Sequence, residues 1–126
     1  MTSLTPGSGL VVSALGANDL VRDMEIQPNP FTPNGDGIND VATIGFSLFR
    51  VFEPRPVTVR IATLAGREVK RFEQNLLGGR RLVQWDGRDA GGTLVPPGLY
   101  IVQVHGRADQ QGLASTRRSR VVGVAY

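Results

Sequence analysis

The chain has 126 residues, a formal charge of +3, 40% apolar residues and no cysteine. That length supports one globular domain with its own core, and the lack of cysteine excludes disulfides and thiolate sites. The charge comes from 13 arginines and a single lysine, Lys70, spread out along the chain without interleaved aromatics, so no nucleic-acid partner is expected.

Met1 to Gly9 is rich in Ser, Thr, Gly and Pro and reads as a flexible arm. Leu10-Val11-Val12-Ser13-Ala14-Leu15 follows as a short β-capable run, closed by Gly16 to Asp19. The run is too short for a signal-peptide core or a membrane span, and no basic segment precedes it. Neither a signal peptide nor membrane insertion is therefore expected. An arm is assigned to residues 1–19 and a folded domain to 20–126.

From Leu20 the pattern has period two, with Met24 and Ile26 on one face and Asp23 and Glu25 on the other. Pro28 to Asp40 is a loop rich in Pro, Asn, Gly and Asp. Alternation returns with Ile44, Phe46 and Leu48, and again with Val57, Val59 and Ile61. Ala65-Gly66 predicts a hairpin turn into a strand over Glu68 to Phe72. Leu76 to Gly79 predicts another turn, after which Arg81, Val83 and Trp85 alternate with Leu82 and Gln84. Tyr100, Val102 and Val104 share a face, and the apolar Leu99 and Ile101 opposite suggest a central strand. Gly106 to Gly112 reads as a mobile hairpin tip. The last strand places Val122, Val124 and Tyr126 on one side.

No stretch holds a helical period for three turns. Seven predicted strands between Leu20 and Tyr126, with turn signals at sandwich-like intervals, predict an all-β immunoglobulin-like or fibronectin-III-like sandwich of about seven to eight antiparallel strands.

Two groups of residues carry a family resemblance. Pro28-Asn29-Pro30-Phe31-Thr32-Pro33-Asn34-Gly35-Asp36-Gly37-Ile38-Asn39-Asp40 resembles the opening motif of C-terminal domains on exported bacterial proteins, including gliding-motility and type IX secretion cargo. Val57 through Gly66-Arg67-Glu68-Val69, then Trp85-Asp86-Gly87-Arg88-Asp89 and Pro97-Gly98-Leu99-Tyr100, is similar to the immunoglobulin-like domain of the flagellar hook-capping protein. The resemblance implies a sandwich used as a sorting signal, spacer or assembly module, not a catalyst. It also implies an extracellular or cell-surface setting. Arg120 to Tyr126 lacks the lysine-ended tail common in sorting domains.

Several residues could carry chemistry. Asn34, Asp36, Asn39 and Asp40 offer oxygens at the short spacing that calcium takes, but Thr32 and Thr43 stand where two further acids belong in the familiar calcium loop. The competing reading is a turn whose Asx side chains cap backbone groups. Asp86 and Asp89 could form an acid–base pair, or each could open a turn. His105, the only histidine, has no second ligand nearby in sequence and reads as a surface residue at a strand end. Trp85 is placed in the core by its phase with Val83, and Tyr100 in a tyrosine corner. Arg117, Arg118 and Arg120 read as the guard of an edge strand.

Leu10, Val11, Val12 and Leu15 are the candidate partner contact, because a sandwich complete without them leaves the run free to pair elsewhere. Strand addition to a neighbour would make this a self-associating structural subunit with protein partners and no cofactor. The alternative is an appended C-terminal sorting or binding domain of a larger exported protein.

Overall fold

In the computed structural model of the protein, residues 4–5, 8–9, 20–49, 51, 53–106 and 116–126 are described. Leu10, Val11, Val12 and Leu15 lie outside these residues, as does the hairpin tip beyond Gly106. Two short strands, β1 (Leu4–Thr5) and β2 (Ser8–Gly9), pair with each other. The seven predicted strands follow as β3 (Val21–Gln27), β4 (Ala42–Leu48), β5 (Arg55–Thr63), β6 (Glu68–Leu76), β7 (Gly79–Trp85), β8 (Gly98–Gly106) and β9 (Thr116–Val124). All ladders among them are antiparallel, and they build two sheets, β3-β4-β7 and β6-β5-β8-β9. The described residues contain no helix.

The period-two residues meet between the sheets. Ile44, Phe46, Ile61, Trp85, Val102, Val104 and Val122 are fully buried, with Val57, Val59 and Tyr100 around them. Each such aliphatic or phenyl side chain contributes about 1.5–3 kcal/mol by leaving water. Trp85 stands at the centre of an aromatic cluster, 5.4 Å from Phe31 and 5.7 Å from Tyr100 between ring centroids, both in tilted arrangements that favour aromatic contact. Its indole N–H donates to the Arg88 carbonyl at 2.9 Å, so the one polar atom of the ring is satisfied.

Three details depart from the sequence pattern. First, β3 buries Val21 as well as Met24 and Ile26, three residues on from Val21 rather than two. A bulge between Arg22 and Glu25, with Asp23 at φ 54°, absorbs the extra residue. Second, β6 runs to Leu76, beyond the predicted Phe72. Third, β8 is central in its sheet, but its second face looks outward and leaves Leu99 exposed. Tyr126 is likewise exposed at its ring, while its hydroxyl donates to the Val95 carbonyl.

The loop after β3 changes sheets. The peptide bonds before Pro28 and Pro30 are cis. Phe31 then pairs in parallel with Val124: its N–H donates to the Gly123 carbonyl, and its carbonyl accepts from Ala125 N–H, both at 3.0 Å. Asn29 copies a backbone group on the same edge, donating through Nδ2 to the Val121 carbonyl and accepting at Oδ1 from Gly123 N–H. The segment thus straps the outer edge of β9, and β3 lies against β9 on that flank.

Candidate functional site

The two resemblance motifs converge at one end of the sandwich. Pro33 packs against Gly87, where an added Cβ would sit 2.7 Å from the Pro33 ring and where φ is +80°. Only glycine meets both demands there. Around this contact, Pro33, Gly35, Asp40, Val41, Asp86, Arg88 and Leu94 line a shallow hollow of about 160 Å³.

The side chains around the hollow are engaged with their own loops. In the first loop, Asp40 accepts from Gly35 N–H at 2.9 Å with Oδ1 and from Gly37 N–H at 2.7 Å with Oδ2. Asn34 Oδ1 accepts from Asp36 N–H, and Asp36 Oδ1 from Ile38 N–H. Asn39 takes the left-handed conformation, and its carbonyl accepts from Thr32 N–H. Asn34 and Asp36 form Asx turns in series, because their short side chains reach the N–H two residues on, while Asp40 reaches back to close the loop.

The second loop follows the same rule. Asp86 accepts from Arg88 N–H, while Asp89 accepts from Gly91 N–H at 2.9 Å and Thr93 N–H at 3.0 Å. Arg88 donates to the Gly92 carbonyl and stands 4.0 Å from Asp86. Asp86 and Asp89 therefore cap two different turns. Among the described residues, no three His, Asp or Glu side chains converge as metal ligands. Tyr100 donates its hydroxyl to the Pro96 carbonyl at 2.6 Å, the tyrosine-corner bond. Burial, and secondarily the charge of Tyr126, push its ionisation up.

A larger hollow, about 420 Å³, lies on the outer face of the four-stranded sheet, lined by Thr58, Arg60, Arg71, Glu73, Gln103, His105 and Arg117. Cross-strand register makes it: Glu73, Thr58, His105 and Arg117 form one rung, and Arg71, Arg60, Gln103 and Ser119 the next. Glu68 Oε1 accepts from Arg71 at 2.8 Å and from Arg60 at 2.9 Å. Those bonds, the Arg71 one foremost, hold the Glu68 carboxyl below its ordinary range. Sequence reasoning did not see this network. The signal lay in the opposed Arg60 and Arg71, legible only once the hairpin register and its bulge at Ile61/Ala62 are known. A polar, open hollow of paired charges lacks the apolar enclosure of a small-molecule site.

On the other outer face, Arg80 reaches across Gly45 to the Asp23 carbonyl at 2.7 Å and Glu25 at 2.9 Å. A Cβ at Gly45 would stand 2.7 Å from that guanidinium, so glycine lets Arg80 clamp the β3 bulge. Arg117, Arg118 and Arg120 lie on β9, which is an edge strand as expected.

Comparison with known proteins finds no matching family model and no matching curated protein. Solved structures do match. FlgD from P. aeruginosa superposes with a TM-score of 0.53 at 21% identity, over 67% of this chain and 62% of that one. FlgD from Xanthomonas campestris, described in connection with the hook capping essential for flagellar assembly, gives 0.54 at 17% identity, over 90% and 76%. PorZ from Porphyromonas gingivalis, an essential surface component of the type-IX secretion system, gives 0.51 at 23% identity, over 82% of this chain and 11% of that one. The chain thus spans under two thirds of the first of these proteins and about a ninth of the last. What it shares with all three is the fold: an all-β sandwich of seven antiparallel strands.

Proposed function

We propose that this chain is a non-catalytic structural or assembly module of an exported bacterial protein, working outside the cell or at its surface and associating with copies of itself through its N-terminal arm. One observation carries the non-catalytic part. The aspartates of both motif loops, Asp36, Asp40, Asp86 and Asp89, each accept backbone N–H groups of their own turns. The residues that a catalyst would aim at a substrate instead hold the shape of the loops. The fold shared with FlgD and PorZ supports an assembly role. The same hydrogen bonds account for Asn34, Asp36 and Asp40 without calcium, so millimolar calcium should leave the melting temperature unchanged. A rise of several degrees would make the loop a cation site.

The test of self-association is solution mass by light scattering over a concentration series, for the full chain and for one lacking Met1 to Gly16. Oligomers that vanish with the arm support the reading. A second reading, an appended sorting or binding domain, is favoured by the PorZ match, where the fold is a small part of a long protein. Monomers in both samples would select it.

A further inference from the structure

We propose that the acceptor for the arm is the outer edge of β7, and that its occupant is the run Leu10 to Leu15 of a second copy. This rests on the self-association reading above and adds the place where it happens.

The sandwich has four edge strands, and an edge is a template for pairing unless something blocks it. On one flank, β3 is bulged and carries Arg22, Asp23 and Glu25, and it lies against β9. There β9 carries Arg117, Arg118 and Arg120 over one half and is bonded to Asn29 and Phe31 over the other. On the opposite flank, β6 carries Glu68, Lys70, Arg71 and Glu73, and its Val69 carbonyl accepts from Ala90 N–H.

Among the described residues, β7 alone lacks such a guard over part of its length. Its two charged side chains are held by the protein itself: Arg80 lies across the outer face of the sheet on Glu25, and Arg81 donates to the Leu77 and Gly78 carbonyls. From Leu82 to Trp85 the strand bears no charge, and Leu82 is 65% exposed. Among the described residues β7 pairs with β4 alone. Beside it, Val83 and, on β6, Phe72 and Leu76 are only partly covered at the margin of the core.

The vacancy has a topological cause. In a constant-type immunoglobulin sandwich, the strand before this one stays in the same sheet and covers the edge. Here β6 joins the other sheet, and among the described residues nothing takes the place beside β7.

The occupant fits in length and chemistry. Six extended residues span about 20 Å, close to the seven of β7. No charged residue precedes Asp19, so an uncharged apolar run meets the uncharged Leu82–Trp85 half of the edge. A second copy is favoured over the chain's own arm by connectivity. Five residues from Leu15 to Leu20 reach at most about 17 Å, and β3 is on the far side of its sheet from β7, roughly 14 Å from the vacant place. The chain between β4 and β7 fills that end: Phe49 N–H donates to the Leu20 carbonyl, and Gly78 N–H to the Val51 carbonyl. A path around it has only about 3 Å of slack.

The cysteine-free chain permits a direct test. Val12→Cys and Leu82→Cys single variants are mixed under mild oxidation, with Val121→Cys on β9 as the control acceptor. A disulfide-linked pair between the Val12 and Leu82 variants, and none with Val121, is expected. Leu82→Lys should also weaken arm-dependent association about tenfold or more, by placing a charge on the edge that must accept the apolar run. Arm-dependent oligomers that persist in Leu82→Lys, with no link to Leu82→Cys, would overturn the β7 assignment and leave the arm reading standing. An intramolecular link in a dilute Val12→Cys/Leu82→Cys monomer would overturn the second copy as occupant. Absence of oligomers in the full chain would end both.

Discussion

On one flank of the sandwich, β3 rests on β9 and the Asn29–Phe31 segment bonds along β9's edge. On the other, β6 and β7 belong to different sheets, and among the described residues β7 has no partner on its outer edge over Leu82 to Trp85. The same chain therefore closes one side with backbone hydrogen bonds and leaves the other with exposed apolar surface. The closed flank is where the Pro-Asn-Pro-Phe motif acts. Its contribution is mechanical, fastening the start of the domain to its last strand. The open flank is where the molecule has surface to offer, and the difference separates residues that hold the fold from residues that can meet a partner.

Substitutions can break this contrast. Phe31→Ala, which removes a fully buried ring packed at a tilt against Trp85 from the closed flank, should cost about 3–5 kcal/mol in denaturant unfolding. Asn29→Ala removes two hydrogen bonds to β9 at an exposed position and should cost about 1 kcal/mol. On the open flank, Leu82→Lys should change the stability of the monomer by no more than about 0.5 kcal/mol, because the side chain is already in water. A large loss there would mean that Leu82 belongs to the fold and not to an interface.

The smallest effect concerns pH. The folded-state ionisation of Glu68 is lowered, so its pairing with Arg71 and Arg60 is fully present above about 4.5 and is lost as pH falls through the lower folded value. Both partners are exposed, so Glu68→Gln should flatten only a shallow acid-side slope of the melting temperature, and high salt should do the same to the parent chain.

Much of the fold was legible because burial alternates cleanly. Ile44, Phe46 and Leu48, or Val57, Val59 and Ile61, allow only one inward face. Trp85 and Tyr100 could be placed for the same reason. The sheet that β6 joins was not legible, because Glu68, Lys70, Arg71 and Glu73 put charge on both of its faces and erase the period. The β3 bulge was also hidden, since Asp23 looks like an ordinary outward residue until its left-handed φ is known. In the candidate site, the Asx-Gly spacing did announce turns, and both Asp86 and Asp89 cap them. The Arg60–Glu68–Arg71 network and the Arg80 clamp depend on register between strands, which no local pattern encodes.

The most direct test is amide hydrogen exchange of β7 measured on the full chain at low and high concentration. Outward-facing amides between Leu82 and Trp85 should exchange fast when dilute and gain protection as concentration rises, while β9 amides near Gly123 stay protected throughout. Oligomers that form with no added protection in β7 would contradict the account, and so would β7 amides already fully protected in the dilute monomer.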